Sequence, residues 1–262
     1  MIQQQFAQRV TDIVRNDEDV LGLAAAGSWI SGTLDEWSDL DLVLVTREKI
    51  GGDGQAMLRV AARFGSLLSG FTGEHVGEPR VLICLYDNPL LHVDIKFVTL
   101  KEFGAGRIET PVLLFDRDGG LQAAINNSEA RWPQPDPQWI ENRFWTWIHY
   151  ALLKIGRGEY FEALDFLSCL RQLALGPLLQ LRRRGLPRGV RRIEQELPAE
   201  DQELLKATVA GHDRASLTDA VIACIRLYRT LRNDLEGPGF IAQARTEEAV
   251  LRYLHRFRYG GS

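Results

Sequence analysis

Cysteine is scarce in this chain: Cys84, Cys169 and Cys224 are the only three in 262 residues. They lie far apart, with no CxxC pair and no His at ligand spacing. A zinc site or a disulfide framework is therefore excluded, and each apolar neighbourhood predicts a reduced core thiol. Long apolar runs are missing as well, none approaching the ~20 residues a membrane span requires. Residues 1–10 carry Gln and Arg where a signal peptide has an apolar block, so a cytoplasmic location is expected. Basic excess is also lacking. The net charge of −4 argues against a general nucleic-acid binder, which carries a strongly basic domain. The five histidines, His75, His92, His149, His212 and His255, follow no ligand or triad spacing.

What is present divides in two. Ile2, Phe6, Val10, Ile13 and Val14 recur at helical spacing, so a helix opens the chain. Residues 21–26 form a short apolar run that breaks at Gly27-Ser28. Residues 39–46 alternate and then run apolar, which predicts a strand. A helix is predicted over 57–69, strands over 80–86 and 91–100 about the turn Asp87-Asn88-Pro89, and a further strand over 112–115. Three prolines in residues 133–137 fit neither helix interior nor central strand, so the boundary is placed there. Beyond it every stripe is helical, including 161–181 bent at Gly176-Pro177, a helix opened by Ser216 with Asp219, and one opened by Thr246. The expected architecture is α/β (α+β), a mixed-sheet domain over 1–132 followed by an α-helical bundle over 138–262. Charge follows the same division. Residues 1–133 hold 19 acidic against 12 basic side chains, and the remainder 16 against 19. An acidic first half suits a metal site or a cationic ligand.

The informative stretch is residues 27–45, GSWISGTLDEWSDLDLVLV. Residues two apart on a strand share a face, so Asp39 and Asp41 are expected to project together. Two close carboxylates repel, and a cation is their natural partner. Oxygen-only ligands favour Mg²⁺, completed by waters and phosphates. A third carboxylate, Asp94, stands mid-strand between apolar neighbours, sharing its face with His92 and Lys96. Three aspartates on neighbouring strands suit two metal ions clamping the attacking and leaving oxygens of an in-line phosphoryl displacement. Gly27 permits close backbone approach to a phosphate, and Ser28 offers both N–H and hydroxyl.

Gly27-Ser28, a loop of about ten residues, Asp39-Leu40-Asp41 and the later Asp94 resemble the signature of the DNA polymerase β-like nucleotidyltransferase superfamily. Within it the chain looks most like the bacterial aminoglycoside and lincosamide nucleotidyltransferases. The segment Leu114-Phe115-Asp116-Arg117-Asp118-Gly119 and a helix over 139–160 carrying Tyr150, Lys154, Arg157 and Glu159 support that likeness. The resemblance implies a catalytic domain over 1–132, with Gly27 and Ser28 on the triphosphate and two Mg²⁺ ions on Asp39, Asp41 and Asp94. It also implies that Asp94 serves as base for the acceptor hydroxyl. Lys154, with Tyr150 and Arg157 on the same helix face, is implied to reach the nucleotide from the helical domain.

The expected activity is Mg²⁺-dependent transfer of a nucleoside monophosphate, AMP from ATP, to a hydroxyl of a small acceptor such as an aminoglycoside or lincosamide. The alternatives are a protein or tRNA acceptor, favoured only by the basic run around Arg182, Arg183, Arg184, Arg188, Arg191 and Arg192, or a non-catalytic nucleotide binder on the same fold. The bland account of that run is a helix C-terminus and exposed loop, where cations complement the dipole.

Overall fold

The computed structural model describes residues 1–235 and 237–259. It divides into two compact units, Met1–Trp132 and Pro133–Ser262. No helix among the described residues is long and apolar enough to cross a membrane.

The first unit is built on a six-stranded mixed sheet. Its strands are β1 (Val20–Ala25), β2 (Leu40–Thr46), β3 (Ser66–Gly73), β4 (Glu78–Asp87), β5 (Leu91–Thr99) and β6 (Val112–Asp116). Their spatial order is β3-β4-β5-β2-β1-β6. β2 and β5 run parallel, and the other neighbours antiparallel. Strand periodicity gives the sheet two different faces. Leu40, Leu42, Leu44, Leu82, Val93, Ile95 and Phe97 point to one side and close a core with Phe6 and Val10 of α1 (Ile2–Arg15) and Met57 of α2 (Gly54–Ala61). On the other side, Val45 and Val98 join a small cluster with Phe103 of α3 (Leu100–Gly104) and Leu121 of α4 (Gly120–Asn126). α3 packs against β5 and β2, and α4 against β6 and β1. The same face carries Asp41 and Asp94.

The helix predicted over 57–69 is half right. It stops at Ala61, and residues 66–73 form the edge strand β3, paired with β4 from Ser66↔Asp87 onward. The apolar spacing satisfied a helix, but Gly65 and Gly70 weaken one. Gly70 also faces the core so tightly that a Cβ there would lie 2.8 Å from Leu58 Cδ2. The 114–119 segment has structural work of its own. Asp116 caps α4 by accepting the N–H groups of Leu121 and Gln122, both at 2.9 Å. Arg117 donates to the carbonyls of Arg15, Asp17 and Val20, tying the end of α1 to β1.

The second unit is helical: α5 (Pro137–Gly156), α6 (Tyr160–Leu170), α7 (Gly176–Arg182), α8 (Ile193–Glu196), α9 (Ala199–Lys206), α10 (Arg214–Leu235) and α11 (Ala244–Tyr259). Its core draws Phe144, Ile148 and Leu152 from α5 and Leu217, Val221 and Tyr228 from α10. A buried polar network crosses it. Glu141 accepts from Trp145, Tyr228 and the backbone N–H of Gln243, and Arg232 bridges Glu141 to Glu247.

Several boundaries differ from the pattern. Pro137 sits in the first turn of α5 behind Asp136, whose carboxylate accepts the Gln138 N–H; proline is tolerated there because the N–H it lacks would have no helical partner. The helix expected to reach residue 160 ends at Gly156, and Gly158 at φ +76° turns the chain into α6. The bend at Gly176-Pro177 is taken up by a π-helical segment, Arg171–Leu175, between α6 and α7. Asp213 accepts the Ser216 N–H at 2.8 Å and so caps α10, which starts at Arg214, two residues before Ser216. The last helix likewise begins at Ala244, ahead of Thr246. Cys84 and Cys224 are buried, but Cys169 is exposed on α6 and is no core thiol.

Candidate active site

Asp41 and Asp94 stand directly opposite each other across the parallel β2–β5 pair, in a register running from Leu40↔Val93 to Thr46↔Thr99. Both are half-buried, while their strand neighbours Leu40, Leu42, Val93 and Ile95 are buried on the opposite face. Facing residues on adjacent strands lie about 5 Å apart, which brings the two carboxylates to one place. Asp39 precedes β2 by one residue and is exposed. Its loop is fixed from below: the wholly buried Gln3 of α1 donates to the carbonyls of Asp35 at 2.9 Å and Ser38 at 2.7 Å. Nothing in the helical periodicity of 2–14 distinguished Gln3 from a surface residue.

β1 ends beside Asp41, with the Ala26 N–H donating to the Asp41 carbonyl at 3.0 Å. Gly27-Ser28-Trp29 then makes a single 3₁₀ turn. Two constraints demand glycine at its head. Gly27 has φ +59°, and a Cβ there would sit 2.0 Å from Asp41 Oδ2. The turn is thus pressed against the carboxylate, and the Gly27 N–H is taken by the Glu109 carboxylate at 3.0 Å.

Glu109 went unnoticed in the sequence because it belongs to a loop with no period. Arg107 anchors that loop, donating to the carbonyls of Ile125 and Ser128 at the end of α4. A pocket of about 390 Å³ opens beside it, lined by Ala26, Val43, Glu78, Arg80, Lys96 and Glu109 among others.

Charge around the pair is organised by strand position. His92 Nε2 lies 3.0 Å from Asp94 Oδ1. Lys96, on the same face of β5 as Asp94, pairs with Glu78 at 2.9 Å. Glu78 also takes Arg80 at 2.6 Å, and these two cations, Arg80 foremost, hold its carboxyl down to about 2.

Tyr150, Lys154 and Arg157 do gather in the second unit, around two glutamates. Lys154 pairs with Glu159 at 2.8 Å and Glu162 at 2.9 Å, Arg157 with Glu159 at 2.6 Å, and the Tyr150 hydroxyl donates to Glu162. Lys154 Nζ also lies 5.0 Å from the Tyr150 ring centroid. Glu159 and Glu162 raise the Lys154 ammonium above its ordinary value; Lys154 in turn lowers Glu159, and the Tyr150 hydroxyl followed by Lys154 lowers Glu162. Arg157 caps the end of α5 and is well exposed. In the basic run, Arg182 and Arg183 share Asp201, Arg183 adds Glu200, and Arg188 pairs with Glu196, so much of its charge is offset locally.

No family model and no curated protein matches the sequence. Among solved structures the chain is similar to an aminoglycoside 6-adenyltransferase from Bacillus subtilis, at 15% identity over 98% of each chain and a TM-score of 0.42. It is also similar to a nucleotidyltransferase-like protein from Exiguobacterium sibiricum, at 13% identity over 99% of this chain and 81% of that one, with a TM-score of 0.36.

Proposed function

We propose that the chain is a Mg²⁺-dependent nucleotidyltransferase that moves AMP from ATP onto a hydroxyl of a small acceptor, with aminoglycosides and lincosamides as the first candidates. The observation that carries this reading is the in-register Asp41–Asp94 pair with the left-handed Gly27 turn pressed against it.

The donor set fits the ion. Among the described residues no three His, Cys, Asp or Glu side chains are grouped so that they could hold a metal ion together, which leaves the facing pair Asp41 and Asp94 as the core of the site. Mg²⁺ is held by as few as one or two carboxylates and completes its shell with phosphate oxygens and water. Asp41 and Asp94, with the neighbouring Asp39, would hold it. When bound, it would offset the charge that builds on the phosphoryl oxygens. Gly27 and Ser28 offer backbone N–H groups, and Ser28 a hydroxyl, to the triphosphate. Asp94 accepts the proton of the acceptor hydroxyl as the new O–P bond forms and pyrophosphate departs. The acidic excess of residues 1–133 favours an acceptor that carries amines.

The test is direct. The protein, Mg²⁺ and each of four α-labelled nucleoside triphosphates are incubated with a panel of aminoglycosides and lincosamides. Labelled acceptor is expected with ATP, and none with Asp41→Asn, whose position at the strand end should leave the fold intact. Absence of labelled acceptor in every combination would overturn the reading.

A further inference from the structure

One exposed aromatic on the site face has no structural task. Phe71 of β3 is 54% exposed, and its ring touches only the exposed His75, at 5.8 Å between centroids, among the ring contacts of the described residues. The pairing places it with care. Phe71 pairs with Ile83, Ile83 with Asp94, and Asp94 with Asp41. Directly paired residues share a face, so these four side chains form one row across β3, β4, β5 and β2. The alternate residues Gly70, Leu82, Cys84 and Val93 turn to the core. Phe71 stands two strand spacings from Asp94, about 10 Å.

Direction along this row has chemical meaning. Gly27 closes β1, on the side of β2 away from β5. In an in-line displacement the attacking and leaving oxygens lie on opposite sides of the phosphorus. With the leaving pyrophosphate toward Gly27 and Ser28, the acceptor enters from the opposite side, over β5, β4 and β3. There the row beyond Asp94 holds no charge: Ile83 and Phe71, flanked by Leu85 and Ser69. The charged Glu78, Arg80 and Lys96 lie toward the other end of the strands.

We infer that Phe71, backed by Ile83, is the specificity surface for the acceptor, and that the acceptor is a molecule of more than one ring. One ring presents its hydroxyl at Asp94, and a second lays an apolar face on Phe71. The inference rests on the transferase reading for its direction. A flat ring offers a saturated sugar or alkyl-bearing ring a broad apolar contact, and removing a well-packed aromatic from such a contact costs roughly tenfold or more in affinity. An acceptor of one small ring, or a linear one, reaches Asp94 without touching Phe71 and gains nothing from it.

Phe71 can be observed without turnover. In protein labelled at phenylalanine ring carbons, its resonance is identified by its absence from Phe71→Leu. Each member of the aminoglycoside and lincosamide panel is titrated in the presence of Mg²⁺ and a non-hydrolysable ATP analogue. The expected result is a shift of the Phe71 ring signals with at least one multi-ring member, with cross-relaxation to its ring C–H protons. For a member that is also turned over, Phe71→Ala should raise the acceptor KM about tenfold, leave the ATP KM and Tm unchanged, and be partly rescued by Phe71→Trp. Phe71 signals that stay still with every member, or a turned-over member whose kinetics Phe71→Ala leaves alone, would overturn the inference. Failure of the transferase reading looks different: no labelled acceptor from the unmodified chain, whatever the Phe71 signals do.

Discussion

The Glu109 carboxylate accepts the backbone N–H of Gly27 at 3.0 Å. In the proposed reaction that same N–H is offered to a phosphate oxygen, so an anion already stands where the nucleotide's anion must go. Competition for the donor and repulsion of the incoming charge act in the same direction. Glu109→Gln should therefore tighten binding of a non-hydrolysable ATP analogue, by several-fold up to about tenfold, the scale of one charge-assisted hydrogen bond. Calorimetric titration decides it, and weaker binding would mean that Glu109 serves chiefly to shape the turn.

In the proposed reaction Asp94 would reach both a cation held by Asp41 and the attacking hydroxyl. Replacement by Asn keeps its shape and removes the basic oxygen. Transfer by Asp94→Asn should fall by roughly 10² or more, with nucleotide binding only modestly weaker. If nucleotide binding disappears instead and added Mg²⁺ restores the full rate, Asp94 is a ligand alone and the proton leaves by another route.

Lys154 is a separate proposal. Its ammonium is held by Glu159 and Glu162 and stays protonated through the ordinary pH range. If it serves a phosphate, Lys154→Ala should raise the ATP KM about tenfold. Wild-type kinetics in that variant would assign Lys154 to the α5–α6 junction only.

Glu78 supplies a stability test independent of catalysis. Arg80 and Lys96 hold its folded-state carboxyl at about 2, below an ordinary value near 4.5. A lowered carboxyl contributes stability that is fully present above the ordinary value and is lost as pH falls toward the folded one. The stability gap between the wild type and Glu78→Gln should thus narrow as pH drops from about 4.5 to about 2. Urea midpoints across that window measure it, and a gap independent of pH would show the pair to be thermodynamically silent.

Much of the first unit was legible because alternation is a strong signal. Asp41 and Asp94 are polar residues in runs whose alternate members are buried, and the strands follow from that alternation. Residues 66–73 were not legible. Leu67 and Leu68 continue the helical spacing of Met57 and Ala61, and only pairing with β4 makes them a strand. Glu109 and Gln3 act through backbone groups distant in sequence, which no local pattern encodes. Ser216 looked like a cap because its residue type fits; the cap is Asp213, three residues earlier, which accepts the Ser216 N–H, while the Ser216 hydroxyl accepts the Gly211 N–H.

The parallel pairing of β2 with β5 has a consequence for how the protein becomes active. Antiparallel neighbours can zip from a short turn, whereas a parallel pair must wait for a crossover, here the whole of α2, β3 and β4. The two aspartates therefore meet only after that excursion has folded back and closed its loop, a non-local step that comes slowly. No contiguous fragment ending before β5 holds the pair, so cation binding at Asp41 and Asp94 would report completion of the sheet and not its beginning.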